Sequence, residues 1–350
     1  MTGTSVPGPH PLDAFLALIL HQTSLDPEAM RAAMAGVRRY QEARRAPPPA
    51  AGRTIFQQGG TRLRHLAGPD GGPPLVLLPS IINGPEILDF DAERSLAHYL
   101  GGRGFRVLLI DWGGMDGGDR RLSLAGLVSA RILPLLRRVG RPVVLAGYCL
   151  GGTLALATAA IGGPAVVARL ALIAAPWHFA GYGVASRDVA RAAWQSLAPV
   201  ALALGGLPLP LLNPLFWSLD PEGVVAKFVR LGRLPEADPL IAEFVRLEDW
   251  AGNGPPIGPA AARDLFNLGF ARDAIGRGRW RVSGTGVRPE ALTIPILDVG
   301  AARDRLVPAA ARLNIAGIQR LTVEAGHVGL VVGRGRHALW DPLSNFAESA

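Results

Sequence analysis

The sequence predicts an α/β protein with a mostly parallel central sheet, flanking helices and a helical cap insertion. Three observations predict it. Short apolar runs recur, bounded by proline and polar residues, as strands buried on both faces do. Amphipathic segments lie between them, and parallel strands need such crossovers. The alternation stops after about residue 176 and resumes near residue 291.

The elements follow in order. Residues 11–45 carry apolar positions at helical spacing, and "RAPPPAAG" reads as a linker because consecutive prolines cannot continue a helix. "TIFQQGGTRLRHLAG" reads as a hairpin around Gly59-Gly60. "PPLVLLPSI", "FRVLLIDWGG", "RPVVLAGYCLGG", "ARLALIAAP", "TIPILDVGA" and "QRLTVEAGH" read as buried strands. "DAERSLAHYLGGRG" and "SLAGLVSARILPLLRRVG" read as helices between them. The expected organisation is an N-terminal helical segment and linker (1–50), a core (51–176 and 291–350) and a cap insertion over one sheet edge (177–290).

Composition excludes several classes. The chain has 350 residues and 49% hydrophobic content, enough for a large core. One cysteine rules out an internal disulfide framework, and no signal-peptide pattern opens the chain. The charge-free run Leu197–Trp217 has the length of a membrane span, but four prolines should break it repeatedly, so it reads as a greasy cap segment. The net charge is +8, with Lys227 the only lysine. A basic chain attracts anions such as nucleotides or coenzyme A. No nucleic-acid motif and no metal-ligand spacing such as CxxC or HExxH is present, so no nucleic-acid partner and no metal are expected.

The single cysteine sits in the most informative stretch, "VVLAGYCLGGTLALA". Gly147-Tyr148-Cys149-Leu150-Gly151 between a strand and a helix is a cysteine version of the nucleophile elbow. The turn is tight and needs small neighbours, and the helix N-terminus behind it favours a thiolate and an oxyanion. A thiol needs a base. His327 follows an apolar strand between Gly326 and Gly329, where the last triad member of an α/β hydrolase falls. His178 opens the cap, and His337 follows an Arg-rich loop and reads as solvated. For the acid, Asp298 lies inside a strand and reads as a brace, while Asp304 lies in the next loop and is the better candidate. Cys149, Asp304, His327 is the nucleophile, acid, base order of the α/β-hydrolase fold. The oxyanion donors expected are the backbone N–H of Leu150 and one at Ile81 or Ile82, with Ile81 chosen.

"AGYCLGG", "GAARDRLVP" and "AGHVGLVVG" together resemble the polyhydroxyalkanoate synthases, whose lipase-like box carries cysteine. "LLPSIINGPEILDF" and "GRGRWRVSGTGVRPEALTIPIL" resemble further segments of that family, so the likeness spans roughly residues 53–335. It implies Cys149 as the nucleophile that holds the growing acyl chain, His327 as base and Asp304 as its orienting partner. It implies a 3-hydroxyacyl-CoA substrate, with no bound cofactor. The implied partners are a second synthase subunit, as in the short two-subunit classes, a second copy of the chain, and the polyester granule surface in the cytoplasm. Two departures fall on the substrate side. The family's Trp-Asn-x-Asp segment survives only as Trp250 and Asn253 out of register, and "PWHF" stands where the family often has an acidic residue. These departures motivate an alternative, a cysteine-dependent thioesterase or esterase on the same scaffold. A non-catalytic granule-binding protein is a third reading, which the intact triad opposes.

Overall fold

The computed structural model describes residues 8–45, 52–113 and 119–348. Most of the expected linker (45–52) therefore lies outside the described residues. The chain forms two compact units, Met1–Pro48 with Pro208–Gly254, and Pro49–Leu207 with Pro255–Ala350.

The larger unit holds an eight-stranded sheet: β1 (Arg53–Gln58), β2 (Thr61–Ala67), β3 (Pro74–Leu78), β4 (Arg106–Asp111), β5 (Val143–Tyr148), β6 (Val167–Ile173), β7 (Ile296–Ala301) and β8 (Gln319–Val323). Their order is β1-β2-β4-β3-β5-β6-β7-β8. β1 and β2 pair antiparallel through the Gly59-Gly60 turn, and β2 pairs antiparallel with β4. Every other pairing is parallel. β3 and β5 are buried at every residue, which is why they read as unbroken apolar runs. All six expected strands form, but the last, β8, is an edge strand with only Val323 buried. One short element was not expected: a two-residue antiparallel ladder joins Arg281–Val282 to Thr285–Gly286.

The smaller unit is helical, built from Leu12–Gln22, Pro27–Glu42, Leu209–Trp217, Pro221–Arg233 and Leu240–Gly252. Two of its helices start by the same device. Asp26 accepts from the Ala29 N–H and Asp220 from the Gly223 N–H; each is followed by proline and then glutamate. The carboxylate caps a free donor, proline needs none, and glutamate suits the positive helix end. Phe15, Val37, Tyr40, Phe228 and Leu231 make its core. The helices Pro27–Glu42 and Pro221–Arg233 cross at Gly36 and Gly232, where a Cβ on either would strike backbone of the other helix.

The greasy run behaves differently from expectation. Pro199 lies inside the helix Gly183–Leu204, and Pro214 inside Leu209–Trp217. The chain instead breaks between them. Gly205 takes φ 67° as the C-cap, and Pro208 precedes the next helix. Glycine accepts that left-handed conformation at little cost, so it ends the helix where proline does not. Among the described residues no helix is long and apolar enough to cross a membrane.

Candidate active site

The site is built at the C-terminal end of β5. Cys149 follows the strand directly and caps the helix Leu150–Gly162 with φ 55° and ψ −130°. A non-glycine residue in that region is strained, so the surroundings must hold it there. They do so through backbone bonds. Cys149 N–H donates to Ile173 O on β6 at 2.8 Å, and Gly152 N–H donates to Cys149 O at 2.8 Å. The glycines flanking the elbow are there because nothing else fits. A Cβ on Gly147 would strike Gly152, and one on Gly151 would strike the carbonyls of Leu78 and Pro79. This close approach brings the end of β3 against the start of the helix.

His327 lies in the loop after β8 and is buried, at 8% exposure. Its Nδ1 donates to Asp304 Oδ2 at 2.7 Å. Asp304 is fixed in turn, because its Oδ1 accepts the Leu306 and Val307 N–H groups at 2.8 Å each. The Cys149 side chain lies close enough to act on the imidazole electrostatically. Burial works against a charged ring, but the Cys149 and Asp304 charges outweigh it and push the His327 pKa from 6.5 up to about 10. The three residues selected from the sequence therefore converge.

The other candidates separate from them. Asp298 is buried in β7 and pairs with Arg312 at 2.9 Å, a brace rather than a partner of His327. His337 is half-exposed and pairs with Asp341 at 3.5 Å. His178 contributes its backbone N–H to Ala311 O, and its Nε2 is sealed from solvent without a hydrogen-bond partner among the described residues. Trp250 lies in the last turn of the helix Leu240–Gly252, and the Asn253 side chain folds back to Asp249 O at 2.7 Å.

The expected oxyanion donors are both backbone groups, one at the start of the helix after Cys149 and one in the loop after β3. Leu150 is the first residue of its helix, so its N–H has no intrahelical acceptor. Of the two isoleucines after β3, Ile82 donates its N–H to Ser80 Oγ at 3.2 Å, which leaves Ile81 as the donor to consider. Trp112 holds this loop, donating from Nε1 to Ser80 O at 3.0 Å.

Sequence reasoning missed three side chains here. Trp112 braces the loop after β3. Tyr148 stacks near the His327 ring, 5.1 Å between centroids, and its hydroxyl reaches His327 O at 3.4 Å. Tyr182 senses the charges of Cys149 and Asp304. Tyr148 was open to inference as the second residue of the elbow, whereas no spacing marks Tyr182. Among the described residues no cluster of three or more His, Cys, Asp or Glu side chains is placed to hold a metal ion.

Comparison with known proteins extends these observations. The family model described as alpha/beta hydrolase fold matches residues 73–333. The chain is 30% identical over 311 residues to the poly(3-hydroxyalkanoate) polymerase subunit PhaC of Haloferax mediterranei, covering 84% of this chain and 63% of that protein. It is 28% identical over 298 residues to the protein of the same name from Allochromatium vinosum, covering 79% of this chain and 82% of that one. The Haloarcula marismortui protein of that name is covered over 60% of its length, so the chain spans less than two thirds of two of these relatives. Among solved structures, a hydrolase from Pseudomonas aeruginosa matches with TM-score 0.51 at 20% identity, covering 85% of this chain and 98% of that one. An esterase from Exiguobacterium antarcticum matches with TM-score 0.50 at 16% identity, covering 85% and 99%. These likenesses show the fold alone.

Proposed function

The chain belongs to the alpha/beta hydrolase fold family, and from that premise we propose that it is a polyhydroxyalkanoate synthase-like acyltransferase. It moves 3-hydroxyacyl groups from coenzyme A through a thioester on Cys149 to a growing polyester. One observation carries this reading: a cysteine occupies the strained elbow, beside a His327 ring that feels its charge and is hydrogen-bonded to Asp304. Similarity to proteins named polyhydroxyalkanoate polymerases over most of the chain supports the same substrate class.

Each residue has a step. The Cys149 thiolate, facing the His327 imidazolium, attacks the thioester carbonyl carbon. The N–H groups of Leu150 and Ile81 receive the oxyanion. The intermediate collapses, the bond to the CoA sulfur breaks, and the departing thiolate takes the proton from His327. The neutral imidazole then accepts a proton from the hydroxyl that attacks the acyl-enzyme, and Cys149 leaves as thiolate. Asp304 holds one tautomer of His327 and favours its charge throughout.

A thiol suits this chemistry. Transfer from CoA to Cys149 exchanges one thioester for another, so the acyl group stays activated for oxyester formation. A serine would form the oxyester in the first step and lose that driving force. A second subunit, a second copy of the chain and a polyester granule surface in the cytoplasm are the partners this reading calls for.

The test is product analysis with 3-hydroxybutyryl-CoA, comparing wild type with Cys149→Ala. Insoluble polyester that disappears in the variant supports synthesis. Free 3-hydroxybutyrate with the same cysteine dependence means that water is the acceptor and the protein is a thioesterase. CoA release no faster than the uncatalysed rate sinks both.

A further inference from the structure

One polar group near the site has no part in the steps above. Tyr182 ends the short turn Phe179–Tyr182, just before the helix Gly183–Leu204. Its ring is pinned between Phe179, at 5.8 Å between centroids, and Phe270, at 5.0 Å. Among the described residues its hydroxyl has no hydrogen-bond partner, and it is not sealed from solvent. A hydroxyl that solvent can reach and that no protein group engages is available to a ligand, as donor and as acceptor.

Backbone contacts fix where this turn lies. On one side, the chain leaving β6 rests on the start of the nucleophile helix. Thr153 Oγ1 donates to Pro176 O, and Gly152 is pressed so close to Ala175 that a Cβ would not fit. On the other side, the Trp177 and His178 N–H groups donate to Ala311 O at 2.7 and 2.9 Å. Gly181 is packed against the Ala310 backbone with no room for a side chain. Ala311 belongs to the segment that follows Asp304, whose carboxylate fixes Leu306 and Val307. The turn is thus clamped between the nucleophile helix and the acid loop. Burial, with the charges of Cys149 and Asp304 behind it, holds the phenol well above its usual pKa, so it stays a neutral donor and acceptor.

The other donors at the site are already assigned. Leu150 and Ile81 face the carbonyl oxygen, and His327 handles the proton. The oxygen left without a protein partner is one carried further along the acyl group. We propose that Tyr182 is a specificity-determining residue whose hydroxyl hydrogen-bonds an oxygen substituent of the acyl group bound on Cys149, so that 3-hydroxyacyl groups are taken in preference to plain alkanoyl groups. The inference rests on the acyl-transfer reading.

The experiment is single-turnover acylation with 3-hydroxybutyryl-CoA and with butyryl-CoA, followed by CoA release and by the mass gained at Cys149. The chain has one cysteine, so the mass gain reports the site alone. Wild type should prefer the hydroxylated thioester by about tenfold or more. Tyr182→Phe should lose about tenfold on 3-hydroxybutyryl-CoA and nothing on butyryl-CoA. Alkylation of Cys149 by iodoacetamide should be unchanged in the variant, showing an intact nucleophile. A variant that keeps the preference, or slows on both thioesters equally, overturns the inference while acyl transfer stands. Absence of any preference in wild type overturns it without a variant. If wild type is acylated by neither thioester, the acyl-transfer reading falls and this inference with it.

Discussion

Replacing Asp304 by asparagine should separate the acid's two jobs. The carboxylate accepts three hydrogen bonds: Leu306 and Val307 N–H at 2.8 Å on one oxygen, His327 Nδ1 at 2.7 Å on the other. Asparagine has one oxygen. If that oxygen stays with the two loop donors, the amide NH2 faces His327. The ring must then accept at Nδ1 and carry its proton on Nε2. The charge-assisted bond that is lost contributes about 1.5–3 kcal/mol, a factor of roughly 10–150. A reversed tautomer in a serine triad costs about 10⁴ in kcat. Two assays read the two amounts. Iodoacetamide alkylation needs only a charged thiol, and the single cysteine makes it a clean report; it should slow by about 10–150-fold. CoA release also needs proton delivery from His327 and should fall further, toward about 10⁴-fold. The same change at Asp298 should leave alkylation within a few-fold of wild type. If Asp304→Asn left both rates intact while Asp298→Asn suppressed them, the assignment of the acid would be wrong.

Three further outcomes follow from the same geometry. The folded pKa of His327 is raised from 6.5 to about 10, so its protonated form persists through neutral pH and is lost as the pH rises through about 10; CoA release should fall on that alkaline limb, and in Asp304→Asn the limb should move to lower pH because one charge favouring the proton is gone. Arg312→Ala should lower the urea midpoint by an amount equivalent to about 3–5 kcal/mol with the m-value unchanged, because Asp298 would be left buried without its 2.9 Å partner. Gly151→Ala should cost about 1–3 kcal/mol of stability and also slow CoA release, since its methyl group meets the carbonyls of Leu78 and Pro79 ahead of Ile81; Gly329→Ala, with open space around it, is the control expected to leave the urea midpoint unchanged.

How much of this was legible before folding differs from element to element. β3 and β5 announce themselves because strands covered on both faces need apolar side chains at every position. The elbow announces itself because the backbone there admits no side chain beside Cys149, and that demand leaves glycines in the sequence. The bracing role of Asp298 was also legible, since a carboxylate within a buried strand has nowhere to turn except to a neighbour such as Arg312. The break in the greasy run was misplaced. Proline removes one donor and can still sit inside a helix, while the left-handed turn at Gly205 cannot continue one.

The amino-acid sequence by itself determined the strand and helix alternation, and it singled out Cys149, Asp304 and His327 as candidates. Those follow from local rules: burial on two faces, a tight turn, and the loops that end successive strands. Only the tertiary structure decided which groups surround Cys149. Trp112 reaches the loop after β3, Tyr148 meets His327, and Tyr182 is clamped between the nucleophile helix and the acid loop, each through contacts between residues distant in the chain. No periodicity encodes such contacts, because they depend on where separate strands deliver their ends in space.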